Sequence, residues 1–197
     1  MKPCRSFLIF CCVLAPLSAA VQPPKLVWEF EARSNLYAPP LTADIHPAPG
    51  LETVISDSEA RTLRCVAADG TELWAVDGGW KKRLISAAAL SGPMPDGGRL
   101  LAVGNGDGSL VCLNAADGAE RWRARPGAVE WGGGLWADLD GDGVQEFVLA
   151  TRQDGVAAFT AAGGPLWTWR GAAGAPPVEV RGPLAALDVD GDGRAEI

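Results

Sequence analysis

Four tryptophans return at nearly even intervals, each closing a similar phrase: Lys25-Leu-Val-Trp28, Asp69-Gly-Thr-Glu-Leu-Trp74, Asp117-Gly-Ala-Glu-Arg-Trp122 and Gly163-Gly-Pro-Leu-Trp167. Their separations are 46, 48 and 45 residues. A unit of that length cannot bury an apolar face by itself, so it must stack on copies of itself. Short apolar runs divided by turn residues fill each interval, which predicts several strands per unit and the blade of a β-propeller. In the third unit the spacing predicts strands at 134–138, 146–150, 156–160 and 166–170, joined through Asp154-Gly155 and Gly163-Gly164, turns that suit tight antiparallel hairpins. The second unit repeats this around Asn105-Gly-Asp-Gly108 and Asp117-Gly118, and the first around Ser58 to Arg61 and Asp69-Gly70.

The fold class is therefore all-β: a β-propeller of four-stranded antiparallel blades at about 37–80, 81–130 and 131–170, with a partial blade at 178–197. Leu26 to Glu31 reads as an orphan fourth strand that would complete the last blade and close the ring. The strand opening at Ile197 is cut one residue after its turn, so the chain is expected to be the amino-terminal part of a longer propeller. Its open edges would recruit other chains.

Two segments carry a second signal. Asp138-Leu-Asp140-Gly-Asp142-Gly-Val-Gln-Glu146 recurs as Asp188-Val-Asp190-Gly-Asp192-Gly-Arg-Ala-Glu196, with every acid and glycine in place. Carboxylates at positions 1, 3, 5 and 9 of a glycine-loosened turn supply hard oxygen ligands for calcium. The alternative is a solvated Asp-Gly turn, but aspartates so close repel one another unless a cation neutralises them. The start matches a helical calcium loop, yet the twelfth position is Leu149 in a strand-like run, so the loop joins strands.

Lys2 and Arg5, the apolar run 7–17 and Ser18-Ala19-Ala20 make a secretory signal peptide over 1–20. The run is short of the roughly 20 residues a membrane span needs. Its removal takes the formal charge from −7 to −9, which argues against nucleic acid, and leaves no membrane span. The reading is a protein that is secreted, periplasmic or at the cell surface. Cys4, Cys11 and Cys12 leave with the leader; Cys65 and Cys112 occupy matching strands as small buried hydrophobes. The single histidine, His46, in a proline-rich turn, is expected to be exposed and leaves no His-based triad or zinc cluster.

The tryptophan phrases resemble the docking motif of PQQ-like propeller repeats, and the acid loops resemble those of FG-GAP and VCBS repeats. The second resemblance implies two Ca²⁺ sites. Asp138, Asp140, Asp142, Glu146 and the carbonyl of Val144 would form one; Asp188, Asp190, Asp192, Glu196 and the carbonyl of Arg194 the other. The first unit keeps Asp44 but has His46, Ala48 and Gly50 at later ligand positions. Aligned on its acid loop, the second has Ser91, Pro93 and Pro95 where the aspartates stand.

Alternating strand direction puts the acid loops and Asp-Gly turns on one rim, and the blade connectors on the other. The connector rim carries Tyr37, Trp80, Lys81, Lys82, Arg83, Glu130, Trp131 and Arg181, aromatic and basic groups able to hold an anionic sugar or a peptide. Three functions fit. The favoured one is a secreted, calcium-stiffened, non-catalytic module that binds protein or carbohydrate or acts as a scaffold, with no catalytic constellation in the chain. A polysaccharide-active, lyase-like propeller is the alternative. A dehydrogenase using pyrroloquinoline quinone fits poorly, because no adjacent cysteine pair survives in the mature chain.

Overall fold

The computed structural model describes residues 25–129, 132–174, 176 and 178–197. The proposed signal peptide, Glu130 and Trp131 lie outside them. Among the described residues there is no helix, and twelve strands form three four-stranded antiparallel meanders. The first is β1 (Leu41–Ala43), β2 (Glu52–Asp57), β3 (Thr62–Val66) and β4 (Glu72–Asp77). The second is β5 (Ala89–Leu90), β6 (Leu100–Gly104), β7 (Leu110–Asn114) and β8 (Glu120–Ala124). The third is β9 (Gly134–Ala137), β10 (Glu146–Thr151), β11 (Gly155–Phe159) and β12 (Pro165–Trp169). The β-propeller expectation holds, blade by blade.

The middle strands are buried almost end to end because both of their faces are covered, and those of the second blade are near-continuous apolar runs, whereas β2 and β3 also bury Glu52, Asp57 and Arg64. Leu101 and Val103 of β6 face the first blade, in a core with Val54, Leu63 and Cys65. Leu100 and Ala102 face the third, with Phe147, Leu149 and Phe159. Outer strands β4 and β8 alternate between half-buried and exposed positions, as edge strands with one packed face do.

The backbone ladder aligns the blades without reference to sequence. Cys65, Cys112 and Ala158 stand opposite Trp74, Trp122 and Trp167, and an irregularity in pairing follows each at the next residue. Both cysteines are free and buried, and burial pushes each thiol up to about 12. They are packing residues, as expected.

Three of the four tryptophans, Trp28, Trp74 and Trp122, lie over the turn glycine of the following blade. A Cβ added to Gly70 would come 3.2 Å from Trp28, one on Gly118 3.0 Å from the Trp74 ring, and one on Gly163 2.6 Å from the Trp122 ring. All three glycines have positive φ (90°, 72° and 87°), a backbone that L side chains resist. The preceding aspartates hold the turn: Asp69 accepts the Thr71 N–H and Asp117 the Ala119 N–H, both at 2.9 Å.

One expectation is corrected, that for Trp80, and two flanking segments lie outside the three sheets. Leu26 to Glu31 forms no strand: Trp28 docks as its counterparts do, but no third strand lies beside the segment to supply a ladder. The segment 178–197 contributes one bridge, Leu187 to Glu196, rather than a sheet. Trp80, assigned to a binding rim, is 3% exposed inside the core between the first two blades, over Gly78, where a Cβ would come 2.5 Å from its ring. The connector turns it inward because that interface needs a large apolar group beyond the strand ends, while Lys81, Lys82 and Arg83 stay outside.

Trp80→Ala and Trp122→Ala should each lower unfolding free energy by about 3–5 kcal/mol in urea titrations, the usual cost of emptying a large aromatic site. Trp169→Ala, at a half-exposed position, should cost less than ~1 kcal/mol.

Candidate metal centre and the facing rim

Each acid loop is built from the backbone outward. Asp138 accepts the Gly141 N–H at 2.7 Å on one oxygen and the Gly143 N–H at 2.9 Å on the other. Asp140 accepts the Asp142 N–H at 3.2 Å, and Asp142 the Val144 N–H at 2.7 Å. Positive φ at Gly141 and Gly143 (81° and 85°) lets these N–H groups point inward. The second loop repeats the pattern: Asp188 accepts from Gly191 and Gly193 at 2.7 and 2.9 Å, Asp190 from Asp192 at 3.2 Å, and Asp192 from Arg194 at 2.9 Å.

Glutamate closes each loop from the strand side. Glu146, buried, accepts the Leu139 N–H at 2.9 Å; Glu196, exposed, accepts the Val189 N–H at 2.8 Å. One carboxylate oxygen from each of Asp138, Asp140 and Glu146 lies within 4.8 Å of the others, and Asp188, Asp190 and Glu196 form the same group. Asp142 and Asp192 stand outside these groups, with an oxygen engaged by a backbone N–H. Burial, reinforced by repulsion from Asp140, Asp142 and Asp138, raises the Glu146 carboxyl above its ordinary range, against the hydrogen bond from Leu139. An all-oxygen donor set with unrelieved negative charge suits a hard divalent cation. The residues present therefore fit calcium.

The first two blades show what the loop is without its aspartates. Glu52 is wholly buried and accepts the Ile45 and His46 N–H groups at 2.9 and 3.1 Å, the role of Glu146 transferred intact. His46 is half-buried rather than exposed, and its Nδ1 accepts the Ala48 N–H at 3.0 Å. In the second blade the ladder places Leu100, not Arg99, at the glutamate position. This moves the alignment by one residue: Gly92, Met94 and Asp96 occupy the aspartate slots, in place of Ser91, Pro93 and Pro95. Neighbouring loops touch, because Gln145 accepts the Gly92 N–H at 2.6 Å and the Ala195 N–H donates to the Asp138 carbonyl at 2.8 Å.

On the opposite rim, Arg83 lies 5.0 Å over the Tyr37 ring and pairs with Glu59 at 3.5 Å. The Lys81 N–H donates to Asp107 at 2.6 Å and Asn105 donates to the Lys82 carbonyl at 3.1 Å, fixing the connector on the second blade's turn. Arg181 pairs with Glu179 at 2.9 Å, which Arg152 also reaches at 3.2 Å. Tyr37 and Arg83 are thus brought together, Lys81 and Lys82 flank the neighbouring turn, and Arg181 is tied up elsewhere. Trp131, assigned to this rim, lies outside the described residues. The sequence aligns Glu52 with Glu146 but gives no sign that, without the aspartates, Glu52 still ties the loop through the Ile45 and His46 N–H groups.

Replacing Glu52 or Glu146 by alanine should strand loop N–H groups and cost about 1–3 kcal/mol in calcium-free buffer, read from the chemical-unfolding midpoint. Asp96→Ala, at an exposed slot, should change stability by under ~0.5 kcal/mol.

Comparison with known proteins places the geometry. A PQQ-like repeat family model, described as outer membrane protein assembly factor BamB, matches residues 59–193. No curated protein matches the chain. Among solved structures, BamB from Moraxella catarrhalis aligns with a TM-score of 0.50 at 20% identity, covering 73% of this chain and 39% of that one. BBS1N in complex with ARL6DN gives 0.49 at 16%, covering 74% and 44%. The quinohemoprotein alcohol dehydrogenase ADHIIG from Pseudomonas putida HK5 gives 0.41 at 15%, covering 73% and 29%. The chain spans less than half the length of these structures, and at such identities the likeness concerns the fold alone.

Proposed function

The chain belongs to the PQQ-like repeat family described as outer membrane protein assembly factor BamB, and from that premise we propose a non-catalytic propeller of the cell envelope that docks a protein partner and is stiffened by calcium at the Asp138 and Asp188 loops. The observation that carries the calcium reading is the convergence of Asp138, Asp140 and the buried Glu146, repeated at Asp188, Asp190 and Glu196. The resemblance of both loops to FG-GAP and VCBS repeats supports it. Asp142 and the Val144 carbonyl, with Asp192 and the Arg194 carbonyl, are the further oxygens within the loops. Because Ala195 donates to the Asp138 carbonyl, ions in the two loops would brace the third repeat against the fourth.

Two features support a protein partner and an envelope location: the family's description as an assembly factor, and the signal-like leader at 1–20. The docking rim is the one carrying Tyr37, Arg83, Lys81 and Lys82, where a solvent-exposed guanidinium oriented over an aromatic ring offers a positioned cation to an acidic partner surface.

Calcium should bind with a Kd of roughly 10⁻⁴ to 10⁻³ M, the range of extracellular modules. At 10 mM it should then stabilise the fold by about 1.4–2.7 kcal/mol per site through preferential binding to the folded state. Titration calorimetry and thermal melting with and without chelator check this. Asp140→Ala should remove one site and His46→Ala neither. Because the Glu146 carboxyl is raised, protons should displace calcium from the Asp138 loop as pH falls through the acidic range. Absence of both a binding heat and a chelator-dependent melting shift would overturn the calcium reading.

For the partner, a photocrosslinker at position 83 in envelope preparations should yield one discrete protein adduct, lost in Lys81→Glu/Lys82→Glu. An adduct pattern indifferent to charge reversal would overturn the assignment of the rim.

A further inference from the structure

The repeats allow an internal comparison that singles out two arginines. On the ladder alignment, Arg121 stands where the other blades carry Leu73 and Leu166, immediately before the docking tryptophan. Arg99 stands where they carry Leu51 and Gln145, immediately before the second strand. Both departures fall in the second blade. Both residues border one cavity of about 520 Å³ between the second and third blades on the acid-loop rim, with Met94, Leu100, Trp122 and Ala161 among its walls.

The cavity is built rather than incidental. Trp122 is fixed by donating its Nε1–H to the Ala161 carbonyl at 2.8 Å and by stacking on Phe159 at 6.1 Å. Arg99 is half-buried and held by donating Nε–H to the Ser91 carbonyl at 2.8 Å. Among the described residues neither Arg99 nor Arg121 has an ion-pair partner, which they share with Arg33, Arg61, Arg125 and Arg194; what sets them apart is that both border this cavity. The lining carries two guanidinium groups, Arg121 exposed at the mouth, against one carboxylate, Asp96, which accepts the Gly98 N–H at 3.0 Å; the guanidinium groups present forked donors to an oxyanion and the apolar walls a surface for a hydrocarbon body.

We propose that this cavity binds an amphipathic carboxylate, with Arg99 and Arg121 holding the carboxylate oxygens and Met94 and Leu100 covering the apolar body. The chain has 24 acidic and 17 basic residues, so it does not attract anions in general and recognition must come from these two side chains. The volume suits a small organic acid or the acidic side chain and flanking apolar residue of a peptide. This site borders the Asp138 loop through Val144 and is separate from the connector rim.

The test uses the full chain in calcium-containing buffer, with 3-phenylpropionate as probe and the Trp122 indole N–H followed by NMR. A saturable shift is expected, with a Kd on the order of millimolar, as befits a ligand of so few atoms. Arg121→Leu, which installs the residue of the first and third blades, should weaken binding at least about tenfold while the melting midpoint stays put. Arg99→Leu should do the same; if it unfolds the chain, the exposed Arg121 variant still decides. The neutral analogue 3-phenylpropanol should not bind. An unchanged Kd in Arg121→Leu, or no saturable shift in the parent chain, would overturn the proposal. So would inorganic phosphate binding as tightly as 3-phenylpropionate, because the apolar wall would then contribute nothing.

Discussion

The contact on which the remaining structure depends is a tryptophan of one blade laid on a turn glycine of the next. It occurs as Trp28 on Gly70, Trp74 on Gly118 and Trp122 on Gly163. The glycine must lack a side chain to admit the ring and must hold a positive φ, and the aspartate before two of these glycines fixes the turn that provides both. Once the turn is set, the fourth strand is positioned against the third, the ladder continues inward, and successive sheets face each other across cores such as that of Leu101, Val103, Leu63 and Val54. The series runs on to Trp167, which is 42% exposed beside Val180, Leu184 and Ile197, where the fourth repeat contributes a bridge rather than a sheet.

Because this contact is supplied by the Asp-Gly turns, the other loops on the same rim are free to differ, and the glutamates show how far. Glu52 and Glu146 do the same structural work, accepting loop N–H groups from inside the blade. A glutamate at this position is therefore a strut before it is a ligand. What distinguishes the third repeat is the set of aspartates that brings further oxygens to the same point and raises the Glu146 carboxyl by burial and mutual repulsion. The blade tolerates that charge because the loop's own N–H groups, from Gly141, Gly143 and Leu139, face the carboxylates.

Strands and hairpins were legible because their determinants are local. Apolar runs such as Phe147-Val-Leu and the turns at Asp117-Gly118 and Gly155 act over a few residues, and the structure places strands within a residue or so of the expected positions. The main misreadings are non-local. Trp80 sits beside Lys81-Lys-Arg83 and reads as surface, yet its burial is set by Leu84, Leu101 and Val103 across a blade interface. The second acid-poor loop was misaligned by one residue because it offers no carboxylates to count from; backbone pairing alone sets its register.

A repeat protein carries its own controls. Positions that agree between blades, such as the docking tryptophans and the residues opposite them at Cys65, Cys112 and Ala158, are explained by packing, since each unit meets the same neighbour in the same way. Positions that break the pattern receive no such explanation. Leu73 packs against the core at the first interface, whereas Arg121 in the same slot borders a cavity. Leu51 and Gln145 carry no charge, and Arg99 does. The slots are partly open to water, with Leu51 45% and Leu166 47% exposed, so packing does not dictate their residue, and the meeting of both exchanges at one cavity is the observation that a ligand would account for.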